Sequence, residues 1–354
     1  MKPVCVIAEA GVNHNGDMVL ARQLIDSAAS CGADFVKFQS FRAAHLVTQD
    51  APKAQYQKRT TGIQQNQYEM LKELELSEDQ HFMLQAHCKK RNIGFLSSPF
   101  DIESAIFLVK TLGLTTLKIP SGELTNGPFL YELGCLKASL IISTGMSTLD
   151  EIEGALKLIL LAQDQLNPTS ELFDTPYNIN RGAQLLASRI TLLHCTTEYP
   201  APFSEINLEA MSTMTQAFQL PVGYSDHTTG ISISLAAAAL GASVIEKHFT
   251  LDKTLPGPDQ QASIEPHELK ALVAGIREIQ QAVGNGNKTP SPSEIKNRDI
   301  ARKSLVASRF IKKGEVFSRD NIEAKRPGTG LSPMRYWTIL GTKANRNFEK
   351  DELI

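Results

Sequence analysis

Short β-branched and aromatic runs alternate with longer amphipathic segments eight times along residues 1–283, and this rhythm restricts the fold more than any other feature of the chain. The runs fall at residues 4–8, 35–38, 95–96, 116–119, 140–142, 190–193, 222–224 and 244–245, and the helix-like stretches at 20–29, 78–90, 102–112, 129–136, 149–162, 208–217, 231–240 and 266–283. Eight strand–helix units in one direction predict an α/β fold closed into a (β/α)8 barrel, for which about 250 residues is the usual size. Two connections, 40–76 and 163–188, are longer than a simple turn needs, and long loops at a barrel rim commonly cover sites.

A chain of 354 residues leaves a remainder beyond one barrel. Barrel periodicity ends at 283, where Gly-Asn-Gly-Asn-Lys-Thr-Pro-Ser-Pro-Ser reads as the start of an extended linker over 284–298. Residues 299–354 then read as a small C-terminal domain whose core is too small to be strongly stable alone, so it is expected to dock on the barrel of its own or a partner chain.

Lys plus Arg number 36 against 38 Asp plus Glu, a net charge of −2 that argues against nucleic acid or an anionic membrane as the main partner. Five cysteines, at 5, 31, 88, 135 and 195, form no CxxC pair, and their odd number suits reduced thiols. With a strand beginning at residue 4, no signal-peptide pattern and no membrane-length apolar run, a cytoplasmic location is expected.

In a parallel barrel the carboxyl ends of the strands carry the site. Two of them end in Tyr224-Ser225-Asp226-His227 and Glu246-Lys247-His248, so two imidazoles emerge at one rim, where they can share a divalent cation if each is neutral and its second nitrogen is oriented. Asp226 and Glu246 are the expected orienting neighbours. The other ends supply Glu9, Lys37, Gln39, Ser98, Lys118, Ser121, Glu123, Ser143, Thr197 and Tyr199, and Asp259 follows the eighth in Pro256-Gly257-Pro258-Asp259. Lysines, hydroxyls and glycine turns at adjacent strand ends suit a phosphorylated anion. Glu9, Glu123 and Asp259 are candidates for proton handling or contacts to hydroxyl groups. His14 is expected to stabilise its Asn-His-Asn-Gly turn and His194 to be a satisfied core residue, while His45, His81, His87 and His267 receive no role.

Taken together, Ile7-Ala8-Glu9-Ala10-Gly11-Val12-Asn13-His14-Asn15-Gly16, Val36-Lys37-Phe38-Gln39, Lys118-Ile119-Pro120-Ser121-Gly122-Glu123, Ser143-Thr144-Gly145-Met146, Ser225-Asp226-His227-Thr228, Lys247-His248-Phe249-Thr250 and Pro256-Gly257-Pro258-Asp259 resemble the sialic acid synthase family, the phosphoenolpyruvate-condensing nonulosonate synthases. The tail, with Lys325-Arg326-Pro327-Gly328, resembles the antifreeze-like (SAF) domain that follows the barrel in that family.

The resemblance implies that C3 of phosphoenolpyruvate adds to the aldehyde of an open-chain N-acylated mannosamine-type sugar, water attacks C2, and phosphate leaves with C–O cleavage. It implies Mn2+ or Mg2+ on His227 and His248. Lys37, Ser98, Lys118, Ser121, Ser143 and Ser225 would surround phosphoenolpyruvate, Glu9 and Asp259 would serve catalysis, and Gln39, Glu123, Thr197 and Tyr199 would face the sugar. Arg326 would reach the sugar's N-acyl group from the partner of a domain-swapped homodimer. Thr197, where bacterial N-acetylneuraminate synthases commonly carry asparagine, and the stretch 51–61 look more like the legionaminate branch, whose sugar is a 2,4-diacetamido-2,4,6-trideoxymannose. N-acetylmannosamine ranks second and the pseudaminate precursor third. The rival enzyme reading is a barrel aldolase with Lys118 as Schiff-base nucleophile.

Overall fold

The computed structural model describes residues 3–53, 57–58, 65–169 and 178–354, which separate into two compact units, Met1–Gly284 and Asn285–Ile354. Among the described residues of the first unit, eight strands form one sheet: β1 Cys5–Gly11, β2 Phe35–Ser40, β3 Gly94–Pro99, β4 Thr116–Ile119, β5 Ser139–Ser143, β6 Ile190–Cys195, β7 Val222–Asp226 and β8 Val244–His248. Their order, β3-β2-β1-β8-β7-β6-β5-β4, is cyclic, each recorded pairing is parallel, and β3 lies beside β4 at the seam, so the sheet closes into the expected barrel.

The strands read as nearly continuous apolar runs because both faces are covered. Ile7, Leu96, Leu193 and Val244 fill the inside, while Val6, Val36, Leu117 and Leu192 pack outward under helices such as Met18–Ser30, Leu149–Gln163 and Pro266–Ala282. Helix starts are written locally: Ser77 and Thr148 each form a capping box, with Gln80 and Glu151 reaching back to the cap.

Register places the strand-end side chains. Glu9 of β1 lies opposite Lys37 of β2 on one side and His248 of β8 on the other, and Ser225 of β7 lies opposite Glu246 of β8. Gly11 takes φ +52° just where the β1–β2 register shifts, and a Cβ there would stand 3.1 Å from Glu9 Oε1 and 3.3 Å from Gln39 Nε2. Glycine keeps that corner open for the Glu9 and Gln39 side chains.

Several elements differ from the sequence-based expectation. The 40–76 connection holds helices Ala43–Leu46 and Gln67–Leu74, whose Ala43, Met70, Leu71 and Leu74 pack with Val12 and Phe41. The 163–188 connection holds Ile179–Leu186, and the predicted helix 102–112 is an α-turn, Ile102–Ile106, running into a π-helix, Phe107–Thr111. The linker expected to be extended over 284–298 instead turns helical at Pro292–Ala301, because Ser291 caps it, Pro292 occupies the first turn and Glu294 closes a capping box. In the second unit β9 Ser304–Ala307 pairs antiparallel with β10 Ile322–Lys325 over a small core of Ile311, Phe317, Ile322 and Phe348.

Candidate active site

At the carboxyl rim of the barrel, a cavity of ≈ 350 Å³ is lined by Glu9, Lys37, Gln39, Ser98, Lys118, Ser121, Glu123, Ser143, Thr197, Tyr199, Ser225, His227, His248 and Asp259, together with Glu246. The barrel thus gathers every site residue that the sequence singles out within it. Arg326 belongs to the second unit, where its Nε donates to the Ala301 carbonyl at 3.1 Å. Of the 51–61 stretch, residues 54–56 and 59–61 lie outside the described residues.

The floor is a buried array of alternating charge. Lys37 Nζ stands 2.7 Å from Glu9 Oε2, 3.6 Å from Glu246 Oε2 and donates to Ser98 Oγ at 3.0 Å. Lys118 Nζ stands 3.5 Å from Glu246 Oε1, to which Ser225 Oγ donates at 2.9 Å. The two glutamates therefore part company. Burial opposes ionisation of Glu246, but Lys118 and Lys37, helped by the Ser225 hydroxyl, hold it down to about 2. Burial dominates at Glu9 and pushes it up to about 7 despite Lys37, with the negative Glu246 adding to the rise. A carboxyl poised there can exchange a proton near neutral pH. Glu246, read from sequence only as a neighbour of His248, is the floor's central counter-ion. Its signal was period-2 alternation, which puts residues 246 and 248 on the same face of β8.

His227 and His248 meet with ring centres 5.5 Å apart, and Tyr199 packs on both, at 4.3 and 5.5 Å. The donor set suits a cation. Burial holds His227 down to about 4 and His248 well below its ordinary value, so both rings are neutral and offer a lone pair. His227 Nδ1 faces the Thr196 carbonyl at 2.6 Å, to which it donates, leaving Nε2 as the acceptor. His248 Nδ1 is buried without a hydrogen-bond partner. Asp259 Oδ2 lies 3.9 Å from that nitrogen, and because the ring is neutral this is proximity, not an ion pair. Burial pushes Asp259 up to about 6. Among the described residues no cluster of three His, Cys, Asp or Glu completes a metal cage, so an ion here would draw its remaining ligands from substrate and water.

The expected orienters need correction. Asp226 does not face either imidazole: adjacent strand residues point to opposite faces, and its carboxylate lies behind the sheet with Lys247, Thr228 and Ser234. Glu246 is spent on the two lysines and Ser225. Ser121 Oγ accepts from Gly145 N at 3.0 Å and sits 3.2 Å from Cys195 Sγ; a Cβ at 145 would come within 2.9 Å of both, so only glycine lets this turn close. Ser143 Oγ is buried without a partner and is available to a ligand. Gln39 Nε2 donates weakly to Glu9 Oε1 at 3.4 Å, and Glu123 accepts from Asn126 Nδ2 at 2.7 Å. His14 accepts from Gly16 N as expected of its turn, and His194 is satisfied by the Ile206 carbonyl. His81, given no role, is a buried linker between the Ser77 carbonyl and Ser40 Oγ.

Comparison with known proteins identifies the family of the chain. The NeuB family model matches residues 24–288, and an SAF domain model matches residues 302–354. An N,N'-diacetyllegionaminic acid synthase of Campylobacter jejuni is 54% identical over 354 residues, covering 100% of this chain and 99% of that protein. One from Legionella pneumophila is 45% identical over 342 residues, covering 97% and 90%. Among solved structures, an N-acetylneuraminic acid (sialic acid) synthetase from Leptospira borgpetersenii superposes with a TM-score of 0.67 at 32% identity, covering 84% of this chain and 90% of that one. A NeuB match over most of the chain and full-length relatives at 54% and 45% identity establish that the chain is a member of the NeuB family.

Proposed function

We propose that the chain is a nonulosonate synthase that condenses phosphoenolpyruvate with 2,4-diacetamido-2,4,6-trideoxymannose to give N,N'-diacetyllegionaminate and phosphate. One observation carries the reading: two buried lysines, bridged by a carboxylate, share a cavity with two neutral imidazoles and a carboxyl held near neutrality. The sugar is chosen on the relatives of 54% and 45% identity, both described as N,N'-diacetyllegionaminic acid synthases, against 32% for the sialic acid synthetase structure. Thr197 lines the cavity wall, and its shorter reach than asparagine supports a sugar with the larger 4-acetamido substituent.

In this reading Lys37 and Lys118 hold the phosphate and carboxylate of phosphoenolpyruvate with charge-assisted hydrogen bonds, Ser98 and Ser143 add hydroxyl donors, and Ser225, whose proton goes to Glu246, keeps that counter-ion in place between the lysines. Glu123, Gln39, Thr197 and Tyr199 seat the sugar with its aldehyde carbon against C3 of the enol. The electron pair of the enol forms the C3–C1 bond, the aldehyde oxygen takes a proton from solvent water, and C2 becomes electrophilic. A water molecule adds at C2 and gives one proton to Glu9. The tetrahedral carbon then collapses to the ketone as its C–O bond to phosphate breaks, and the C2 hydroxyl proton leaves with the phosphate. His227 and His248 would hold Mn2+ or Mg2+, whose chemistry is to polarise the aldehyde oxygen as a Lewis acid. Asp259, beside His248, orients the sugar or the incoming water. Arg326 of a partner protomer in a domain-swapped homodimer binds the N-acyl group. No described helix is long and apolar enough to cross a membrane, and the five unpaired cysteines suit the cytoplasm.

Phosphate release from phosphoenolpyruvate with a panel of 2,4-diacetamido-trideoxy hexoses, N-acetylmannosamine and its 6-phosphate tests the substrate. The highest kcat/KM should fall to the manno-configured diacetamido sugar; preference for N-acetylmannosamine would overturn the branch. Activity lost to a chelator should return with Mn2+ or Mg2+, whereas a borohydride-trapped adduct on Lys118 would replace the mechanism by an aldolase.

A further inference from the structure

Behind the site, on the face of the sheet turned toward helix Ser232–Ala239, lies a second buried ion pair. Asp226 and Lys247 are register partners on β7 and β8, their side chains 0% and 1% exposed, with Lys247 Nζ 2.8 Å from Asp226 Oδ2. Each immediately precedes one of the two site histidines. Lys247 also donates to the Thr228 carbonyl at 2.8 Å, while Asp226 accepts from Thr228 N and Oγ1 at 2.8 Å each and from Ser234 Oγ at 2.5 Å. The residues on both sides of His227 are thereby tied to the residue before His248, and no group of this network lines the cavity.

A buried ion pair is a poor source of stability, since desolvating two charges offsets their attraction and matched apolar replacements are often neutral. A device that holds two strand ends in one register has another use. We infer that Asp226 and Lys247 are positioning residues: their cross-strand pair fixes the separation and relative orientation of His227 and His248 from behind. The inference rests on the reading of those imidazoles as a cation-holding pair, but what it predicts of their spacing can be measured without a metal.

The test combines crystal structures with Mn2+ titration of the full-length protein, read by the electron paramagnetic resonance of free Mn2+. In Asp226→Leu/Lys247→Met, which removes both charges, a melt as cooperative as the parent's is expected. The imidazole ring centres should depart from 5.5 Å by about 1 Å or lose order, and Mn2+ should bind about 10–100-fold more weakly. Rings that superpose on the parent's together with a Mn2+ Kd within about twofold would overturn the inference. Should the double variant not fold, Lys247→Arg keeps the charge but alters its reach. It should retain the melt and shift both ring spacing and Mn2+ affinity, and parent-like values of both would overturn the inference. A parent protein that binds no Mn2+ contradicts the metal reading, and ring separation alone then decides the positioning role.

Discussion

The floor of the cavity and its wall are built differently. Glu9, Lys37, Lys118, Glu246 and His248 sit on strand segments, are almost fully buried, and fix one another by register and charge. Glu123, Thr197 and Tyr199 sit on the loops after β4 and β6, half-buried or exposed. The floor shifts proton affinities because water is excluded from it, whereas the more exposed wall contributes shape and hydrogen-bonding contacts. Chemistry common to a family belongs on the first kind of support and choice of sugar on the second.

The sharpest way to break this comparison is to remove a floor imidazole. If the imidazoles hold a cation as proposed, His227→Ala or His248→Ala should lower turnover about 1000-fold or more while circular dichroism shows a folded barrel, since losing a Lewis acid would cost several kcal/mol of barrier. Near-parent turnover would take that ring out of the chemistry. Lys118→Met should raise KM for phosphoenolpyruvate by about 10–100-fold, the scale of a lost charged hydrogen bond, with a much smaller change in KM for the sugar.

Proton traffic sharpens the contrast within the floor. Burial holds Glu9 up to about 7, so if Glu9 accepts the proton from water as proposed, the carboxylate that does so disappears as pH falls below that value. The expected profile is a drop in kcat/KM of about tenfold per pH unit below pH 7 that is absent in Glu9→Gln. A limb near 6 that survives in Glu9→Gln and vanishes in Asp259→Asn would reassign the role to Asp259, which burial pushes up to about 6. The smallest effect is expected at the wall. Thr197→Asn should shift the kcat/KM ratio between N-acetylmannosamine and the diacetamido sugar by about tenfold toward the former and leave KM for phosphoenolpyruvate within twofold. A larger effect on phosphoenolpyruvate would erase the division between floor and wall.

Much of the barrel was legible in the sequence because most strands carry a short apolar, often β-branched run and the segments between them keep a helical apolar period. Helix Pro292–Ala301, read from sequence as extended linker, carried a cap signal in Ser291-Pro292-Ser293-Glu294 that its Gly-, Asn- and Pro-rich approach outweighed. The short helices Ala43–Leu46 and Gln67–Leu74 are held by packing against Val12 and Phe41, contacts that only the closed barrel creates. Within the site, strand-end position was enough to collect the lining residues, because a parallel barrel presents all its strand ends at one rim. Partnerships were harder. Sequence adjacency suggested that Asp226 serves His227, yet the pleat turns it to the opposite face, and the group that does orient His227 is the Thr196 carbonyl, a backbone atom with no signature in residue type.

The central claim is that this floor condenses phosphoenolpyruvate with a sugar aldehyde and expels phosphate by breaking the C–O bond. Phosphoenolpyruvate labelled with 18O at the bridging oxygen, turned over with the diacetamido sugar and followed by 31P NMR, tests it most directly. The label should appear in inorganic phosphate; unlabelled phosphate, or none released at all, would contradict the account.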